Sequence, residues 1–328
     1  MDKKILVYLI QLDNYTQVKG ITLDITPRCT LLCPKCARQE PEFPGFKPLF
    51  SDMTLTNFYK IADYFHTIEF CGTFGDAVFH KNFVEMLEYT YKKGNNVEVA
   101  NAASHKGLDF YEKAFRANPN ARWIFGIDGL PKDSKIHRVN QNGPLLFEAM
   151  KLARKMGLKP VWQYIIFKYN QDNIDEARKI AKDLDIEIKI LRSKRFSGPD
   201  DPLKPDDEYT NMYFLKEDKN LTKEEKLQRY FRQSLQPKCL HPEAVFGHSA
   251  QGYILPCCWL TIYDVEEKFP ELCNPDTHLD NVDSIEEIIN SKHWNKFLHN
   301  LKNNSKDSPY KCWRKCRTGV PLSKTELK

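Results

Sequence analysis

The sequence predicts an α/β fold: an open, partial (β/α)6 barrel followed by a small cysteine-rich α+β domain. Between residues 20 and 195, apolar runs of strand length alternate with amphipathic runs of helix length, which is typical of a parallel sheet covered by helices. The alternation repeats about six times, short of the eight units of a closed barrel. Cysteines group again in the last third of the chain, where this alternation has ended.

The predicted elements follow one another in a regular order. Helical spacing is clearest at Leu146, Ala149, Met150 and Ala153, between Pro144 at a helix start and Gly157 at its end. The predicted strands are 5–10, 21–25, 66–71, 97–101, 122–127, 161–167 and 186–190. The predicted helices begin at a Thr56 cap, run from an Asn82–Glu85 capping pair to Gly94, and continue at 108–116, 144–157, 173–184 and 223–232.

Changes in pattern predict the domain boundaries. We expect an N-terminal strand or extension at 1–19, the barrel at 20–195, a linker with one helix at 196–236 and the cysteine-rich domain at 237–328. The linker is expected because the periodicity weakens after about residue 193, where prolines punctuate a charged stretch. In such barrels ligands bind at the carboxyl ends of the strands, so the loops that leave those ends are the candidate site.

Composition excludes several classes of protein. The 328 residues are 41% hydrophobic, enough for one large domain plus a smaller one. The net charge of +5 is spread over mixed charges without a Lys/Arg tract, so no nucleic-acid partner is expected. The start, MDKKILVYLI, has only six consecutive apolar residues, too few for a signal peptide or a membrane span. Ten cysteines without a secretory signal favour a cytoplasmic protein with reduced thiols.

Three of these cysteines stand in one short loop directly after a predicted strand. Cys29, Cys33 and Cys36 have the spacing C-x3-C-x2-C. Three thiolates can hold three irons of a cubane cluster and leave the fourth iron open to another molecule. A zinc knuckle or a redox pair is the alternative, although zinc sites usually use two separated pairs of ligands. An iron–sulfur cluster with one open iron is the better interpretation.

The stretch GITLDITPRCTLLCPKCAR resembles the cluster loop of the radical S-adenosylmethionine enzymes. The resemblance implies a [4Fe-4S] cluster on the three cysteines, with S-adenosylmethionine bound to the open iron. It also implies that an electron donor such as flavodoxin or ferredoxin reduces the cluster, which then cleaves the cofactor to a 5′-deoxyadenosyl radical. One position departs from the family, which usually has an aromatic residue just before the third cysteine, where this chain has Lys35.

Two further segments carry the resemblance. CGTFGDAVFHKNF is similar to the family's Gly-Gly-Glu-Pro motif, with Gly75 and Asp76 at the Gly and Glu positions. FGIDGLPKDSKIHR is similar to its Ser-Ile-Asp-Gly segment with a following arginine, here Arg138. The resemblance implies that Gly75, Asp76 and Arg138 bind the cofactor, and we expect Asn101, at a strand end, to join them. Arg138 as a surface residue and Asn101 as an ordinary sheet residue are the alternatives.

The C-terminal cysteines resemble the ligands of an auxiliary-cluster domain, called SPASM or, in its shorter form, twitch. The predicted ligands of one closed cluster are Cys239, Cys257, Cys312 and Cys316. Gly252 would form the turn of a hairpin between the first two ligands. Cys258 is an alternative to Cys257, and four cysteines in two groups also suit a structural zinc ion.

The implied activity is hydrogen abstraction from a small-molecule or peptide substrate, with a net oxidation assisted by the auxiliary cluster. Fewer than 20 residues precede the barrel, so we expect no separate peptide-recognition domain before it. The sequence does not single out a general base among Asp76, His80, His105 and Glu69. Two other functions stay open: a non-catalytic zinc-binding interaction protein, and a radical methyltransferase or epimerase.

Overall fold

The protein is described by a computed structural model. It describes residues 20–39, 51–193, 195–210, 221–241, 244–261, 265–303, 306–318 and 325–327. The strand expected at 5–10 lies outside these residues. The described residues form two compact units, each discontinuous along the chain. The first unit takes its residues from 20–24, 51–69 and 221–318, and the second takes them from 25–39, 70–210 and 325–327. The domain boundaries derived from the sequence stay a prediction.

Strands and helices alternate along the chain from β1 to β6, as the sequence predicts. The strands are β1 (Gly20–Leu23), β2 (Thr67–Phe70), β3 (Asn96–Asn101), β4 (Arg122–Gly126), β5 (Val161–Ile165), β6 (Glu187–Arg192), β7 (Val245–Ser249), β8 (Tyr253–Leu255) and β9 (Thr325–Glu326). The helices are α1 (Leu55–Tyr64), α2 (Phe83–Lys93), α3 (Leu108–Ala117), α4 (Gly143–Lys155), α5 (Ile174–Asp183), α6 (Lys223–Tyr230), α7 (Val265–Lys268), α8 (Ile285–Ile289), α9 (Lys292–Lys302) and α10 (Tyr310–Cys316). In the described part of the chain, none of these helices has the length and apolar character needed to cross a membrane.

The second unit is built on a parallel sheet. Strands β3, β4, β5 and β6 pair in that order and in parallel, and β9 pairs antiparallel with β6. Side chains alternate between the two faces of each strand. One face is fully buried and carries Trp123, Phe125, Trp162 and Tyr164, with Phe115 of α3 packed edge-on against Trp123 at 4.9 Å. The parallel arrangement brings the carboxyl ends of four strands to one edge, where the candidate site residues follow them.

The first unit joins the first barrel strand to the C-terminal residues. Its strand order is β8-β7-β1-β2, with β7 parallel to β1 and antiparallel to β8. Gly252 has a φ of 90° in the turn between β7 and β8, which confirms the predicted hairpin turn. Phe65, Phe246 and Trp294 form an aromatic core with ring centroids 5.8 and 5.2 Å apart. Most of this packing links residues that are far apart in sequence.

Two predicted helix starts need correction. The cap of α1 is Thr54 and not Thr56, because Thr54 has the extended backbone of a cap and its Oγ accepts the Asn57 N–H at 3.2 Å. Asn82 stands at the cap of α2 but makes no side-chain cap hydrogen bond. Its Nδ2 donates instead to Glu85 Oε2 at 2.9 Å. In both cases the positions of neighbouring backbone N–H groups, which local sequence does not specify, decide the cap.

Candidate active site

The loop that follows β1 folds the C-x3-C-x2-C motif into one turn. The Cys36 N–H donates to the carbonyl of Cys33 at 3.0 Å, and Arg38 Nη1 donates to the carbonyl of Cys29 at 3.0 Å. The thiols are close enough to influence one another electrostatically, Cys29 with Cys33 and Cys33 with Cys36. The structure therefore brings the three predicted ligands together.

These thiols lie in a partly buried environment. Burial raises the pKa of Cys29 to about 12, and the negative charge of Asp76 adds to the rise. Burial also raises the pKa of Cys33, against the effect of Arg138. Among the described residues, no three His, Cys, Asp or Glu side chains have an arrangement that would hold a single metal ion. Because ligation requires thiolates, a bound iron would supply the positive charge that deprotonates these thiols, and three neighbouring cysteines suit an iron–sulfur cluster as donors.

The loop after β2 packs directly onto the cysteine loop at Gly75. A Cβ on Gly75 would lie 1.9 Å from the Thr26 carbonyl oxygen and 3.0 Å from the Arg28 nitrogen, so only glycine fits. The N–H of Asp76 donates to the carbonyl of Arg28 at 2.9 Å. Gly75, a predicted cofactor-binding residue, thus holds the backbone of the cysteine loop in place.

Asp76 and Asn101 are in direct contact with each other. Asn101 Nδ2 donates to both carboxylate oxygens of Asp76 at 3.0 and 3.1 Å, and the N–H groups of Ala102 and Ala103 donate to Oδ2 at 2.8 and 2.9 Å. Asn101 Oδ1 accepts the hydroxyl of the buried Tyr111 at 2.9 Å. These bonds engage both side chains in fixing the end of β3 to the loop after β2, and their direct binding of a cofactor stays a prediction.

Arg138 lies next to the cysteine loop and is not a free surface residue. Its Nε donates to Asp128 Oδ2 at 2.7 Å, and its guanidinium contacts Cys33. The missing side chain of Gly126 makes room for it, because a Cβ there would lie 3.1 Å from Arg138 Nη2. Burial opposes the charge of Arg138, but Asp128 and Cys33 outweigh it and raise its pKa. A fixed, permanently charged guanidinium is suited to bind a carboxylate with two hydrogen bonds.

Asp128, just after β4, is a site residue that the sequence analysis did not single out. It is fully buried and accepts hydrogen bonds from Arg138 Nε, from His137 Nδ1 at 2.9 Å and from the Ile165 N–H at 3.0 Å. Burial alone would raise its pKa, but Arg138 and His137 lower it to about 2. The signal that could have found it is an acidic residue directly after a buried strand, within the FGIDGLPKDSKIHR segment already noted.

Gln141 was also missed and closes the same network. Its Nε2 donates to the carbonyls of Ala102 at 2.6 Å and Gly126 at 2.9 Å, which follow β3 and end β4. Its Oε1 accepts the hydroxyl of Ser134, whose oxygen in turn accepts the N–H of Asp128 at 2.9 Å. The carboxyl ends of neighbouring strands are thus joined by buried side-chain hydrogen bonds, which favours one rigid arrangement of the site.

Several solved structures resemble this chain. SuiB of Streptococcus suis bound to S-adenosylmethionine has a TM-score of 0.54 and 10% identity, over 88% of this chain and 75% of its own. BtrN in complex with AdoMet and 2-DOIA has a TM-score of 0.50 and 12% identity, over 93% and 94%. AnSMEcpe with bound AdoMet has a TM-score of 0.53 and 11% identity, over 85% and 82%. In a second SuiB structure the match spans 66% of that protein.

These proteins have the radical S-adenosylmethionine fold. The chain shares this fold with them. The prediction of a partial (β/α)6 barrel is therefore confirmed. No family model and no curated protein matches the sequence. At 10 to 12% identity the similarity establishes the fold only. The function has to be argued from this chain's own residues.

Within the first unit, the four C-terminal ligand candidates lie on three segments of the chain that pack together. Cys312 and Cys316 lie four residues apart on α10, so their side chains share one face. Burial, Cys239 and Cys316 raise the pKa of Cys312. A hydrogen bond with Cys258, burial and Cys239 raise the pKa of Cys257. Cys239 is thus an electrostatic neighbour of both Cys257 and Cys312, although the four candidates come from three separate segments.

The two other cysteines of this region have different surroundings. Cys258 is exposed, and its pKa is lowered mainly by the hydrogen bond with Cys257. Burial raises the pKa of Cys273, and Glu266 and Glu271 add to that rise. Cys239 adds to the rise in the pKa of Cys257, so the Cys257 thiol lies near Cys239.

The candidate general bases, apart from Asp76, have varied environments. Glu69 Oε2 accepts the hydroxyl of Thr22 at 2.9 Å. His80 is buried, whereas the His105 ring is stacked on Phe79 with centroids 3.6 Å apart. Partial burial and then the neighbouring Lys106 lower the pKa of His105 to about 4, so this ring is neutral at pH 7. The geometry does not select one of them as the base.

Proposed function

We propose that this chain is a radical S-adenosylmethionine enzyme. The observation that carries the proposal is the loop in which Cys29, Cys33 and Cys36 meet, held by Gly75 and bordered by the charged Arg138. In the proposal the three cysteines hold a [4Fe-4S] cluster and S-adenosylmethionine takes the remaining iron position. Bound there, these groups supply one-electron chemistry: reductive cleavage of the C5′–S bond and abstraction of hydrogen from an unactivated C–H bond.

The chain's own residues bind, orient and shield the cofactor. Arg138 binds the cofactor's carboxylate, with Asp128 fixing its Nε so that the other guanidinium nitrogens keep one orientation. The absence of a side chain at Gly75 lets the backbone approach closely. Asp76 and Asn101 hold that backbone against the end of β3. Preorganised groups of this kind need no rearrangement when the reaction occurs.

For the first unit we propose an auxiliary [4Fe-4S] cluster on Cys239, Cys257, Cys312 and Cys316. Such a cluster would supply an acceptor for the electron that hydrogen abstraction leaves on the substrate, which would make the net reaction an oxidation. The influence of Cys239 on both Cys257 and Cys312, and of Cys316 on Cys312, supports a shared site. A structural zinc ion is the second candidate, because four thiolates also satisfy zinc. Iron content separates the two.

For partners we propose a small-molecule or peptide substrate and an electron donor such as flavodoxin or ferredoxin. Both kinds of ligand occur among the similar structures. SuiB is bound to the precursor peptide SuiA, and BtrN is in complex with 2-DOIA. BtrN matches this chain over nearly its whole length, 94% of that chain. We therefore favour a small molecule as the first class to screen. A methyl transfer or an epimerisation would appear in the same screen as a different product.

The test is anaerobic reconstitution followed by measurement of iron, sulfide and cofactor cleavage. About eight irons per chain are expected for two cubane clusters. Cys29→Ala should abolish formation of 5′-deoxyadenosine under reductant, whereas Cys71→Ala, at an exposed cysteine outside the loop, should leave it unchanged. Zinc at the N-terminal cysteines, or undiminished 5′-deoxyadenosine in Cys29→Ala, would rule the proposal out.

A further inference from the structure

Lys35, between the second and third cysteines of the loop, forms an ion pair within the second unit. Its Nζ donates to Asp201 Oδ2 and, at 3.1 Å, to Ser197 Oγ. The side chain of Lys35 is 18% exposed and that of Asp201 only 1%. This is the position at which the family usually has an aromatic residue, so the pair belongs to this chain's own version of the loop.

Asp201 is preorganised to receive the ammonium. Its Oδ2 accepts the Ser197 N–H at 2.7 Å, and its Oδ1 accepts the Leu203 N–H at 3.0 Å. A buried carboxylate with two backbone donors stays ionised and fixed in direction. The turn of residues 197–203 is therefore shaped around one acceptor that faces Lys35.

The turn is itself anchored to the end of β5. Phe196 is buried and packs edge-on against Phe167, with ring centroids 6.1 Å apart. The Lys168 N–H donates to the carbonyl of Leu203 at 3.1 Å. Through these contacts the Lys35–Asp201 pair connects the cysteine loop to the residues that follow β5 in the same unit.

We propose that Lys35 and Asp201 are positioning residues that fix the cysteine loop and keep the ammonium beside the cluster neutralised. The inference rests on the proposed function, since it requires a cluster on Cys29, Cys33 and Cys36. A nearby positive charge stabilises the reduced cluster and so raises its reduction potential. Asp201 cancels most of that effect, which keeps the potential low, as a strongly reducing cluster needs.

The two partners therefore predict shifts of opposite sign. Asp201→Asn leaves the ammonium uncompensated and should raise the reduction potential. Lys35→Met leaves the carboxylate uncompensated and should lower it. The double variant should return toward the original value, because both charges are gone. A pair that only stabilises the fold would not give opposite shifts.

The experiment is an EPR-monitored redox titration of the anaerobically reconstituted protein, with and without S-adenosylmethionine. Lys35→Arg should keep the original potential, because it retains the charge. The matched control is Asp207→Asn, which removes the exposed carboxylate that pairs with Lys204 just after the same turn and should leave the potential unchanged.

Each outcome of the redox titration leads to a definite conclusion. Shifts of the same sign in Lys35→Met and Asp201→Asn, or no shift in either, would overturn the inference while the proposed function stands. If Asp201→Asn does not fold, Lys35→Met decides alone, and an unchanged or higher potential counts against the inference. If the unaltered protein forms no reducible cluster, the proposed function fails, and this inference fails with it.

Discussion

Gly75 and Asp128 show how single residues determine the candidate site. Gly75 brings two loop backbones to a distance that excludes any side chain, and Asp128 collects donors from Arg138, His137 and β5. Gly75 acts by having no side chain, whereas Asp128 acts as a buried charge that accepts hydrogen bonds. Each gives a prediction that can be measured as a change in the stability of the protein.

Gly75→Ala should destabilise the protein and lower its iron content after reconstitution. The added methyl group would overlap the Thr26 carbonyl, and overpacking of this kind costs about 1–3 kcal/mol or more. Urea denaturation and iron analysis measure the two effects. The control is Gly107→Ala, because a Cβ at Gly107 has no neighbour within 4 Å and the loss should stay below about 1 kcal/mol. Equal losses in both variants would contradict the close approach at Gly75.

Asp128 should make stability depend on pH in the acid range. Its folded pKa of about 2 lies below the ordinary 3.8, because Arg138 and His137 outweigh the effect of burial. Ionised Asp128 therefore stabilises the fold above about pH 4, and this contribution is lost as the pH falls from about 4 to about 2. The difference corresponds to roughly 2 kcal/mol.

Urea unfolding at pH 6, 4 and 3 measures this dependence. Asp128→Asn should be less stable at pH 6, because it leaves Arg138 without a buried counter-charge, and its stability should fall less steeply with acid. The exposed Asp175→Asn should keep the original slope. An acid slope in Asp128→Asn as steep as that of the unaltered protein would contradict the assignment.

At the scale of elements, the periodicity of the sequence predicted the order and approximate bounds of strands and helices from β1 to β6. Gly94 and Gly157 end helices with φ of 73° and 90°, as expected of glycines in the left-handed region. The predicted cap of α1, Thr56, was wrong by two residues, because the cap is Thr54. A threonine caps a helix only if its backbone is extended and an N–H is within reach, and the neighbouring residues decide both.

Thr54→Ala should cost about 1 kcal/mol, the usual value for a lost N-cap. Thr56→Ala should change the free energy of unfolding by less than about 0.5 kcal/mol, because Thr56 lies exposed within the first turn. Thermal or urea denaturation of the two variants side by side measures the difference. If Thr56→Ala lost more free energy of unfolding than Thr54→Ala, Thr56 would be the cap, as the sequence predicted.

At the scale of the whole molecule, two sets of thiols occupy two compact units. The loop cysteines belong to the second unit and the four C-terminal candidates to the first. Each set collects thiols that influence one another's pKa. On the proposed function, the set in one unit can therefore be damaged while the set in the other unit keeps its metal.

Cys312→Ala should therefore remove about four irons per chain and leave cleavage of S-adenosylmethionine largely intact. Iron analysis and 5′-deoxyadenosine formation, measured on the same reconstituted sample, check this. Cys273→Ala is the matched control. Cys273 is buried in the same unit, but burial, Glu266 and Glu271 raise the pKa of its thiol, and it is not one of the four ligand candidates. Loss of zinc in place of iron from Cys312→Ala would mean a structural zinc site.

The sequence by itself determined the α/β alternation, the cysteine loop and the hairpin turn at Gly252, because periodicity, short spacings and left-handed glycines are local properties. The tertiary structure decided which distant residues meet. The parallel pairing of β7 with β1, the hydrogen bonds from Asn101 to Asp76 and the contact of Lys35 with Asp201 join segments that no local rule relates. Such contacts depend on the packing of the complete sheet and its loops, so they could be read only from the folded chain.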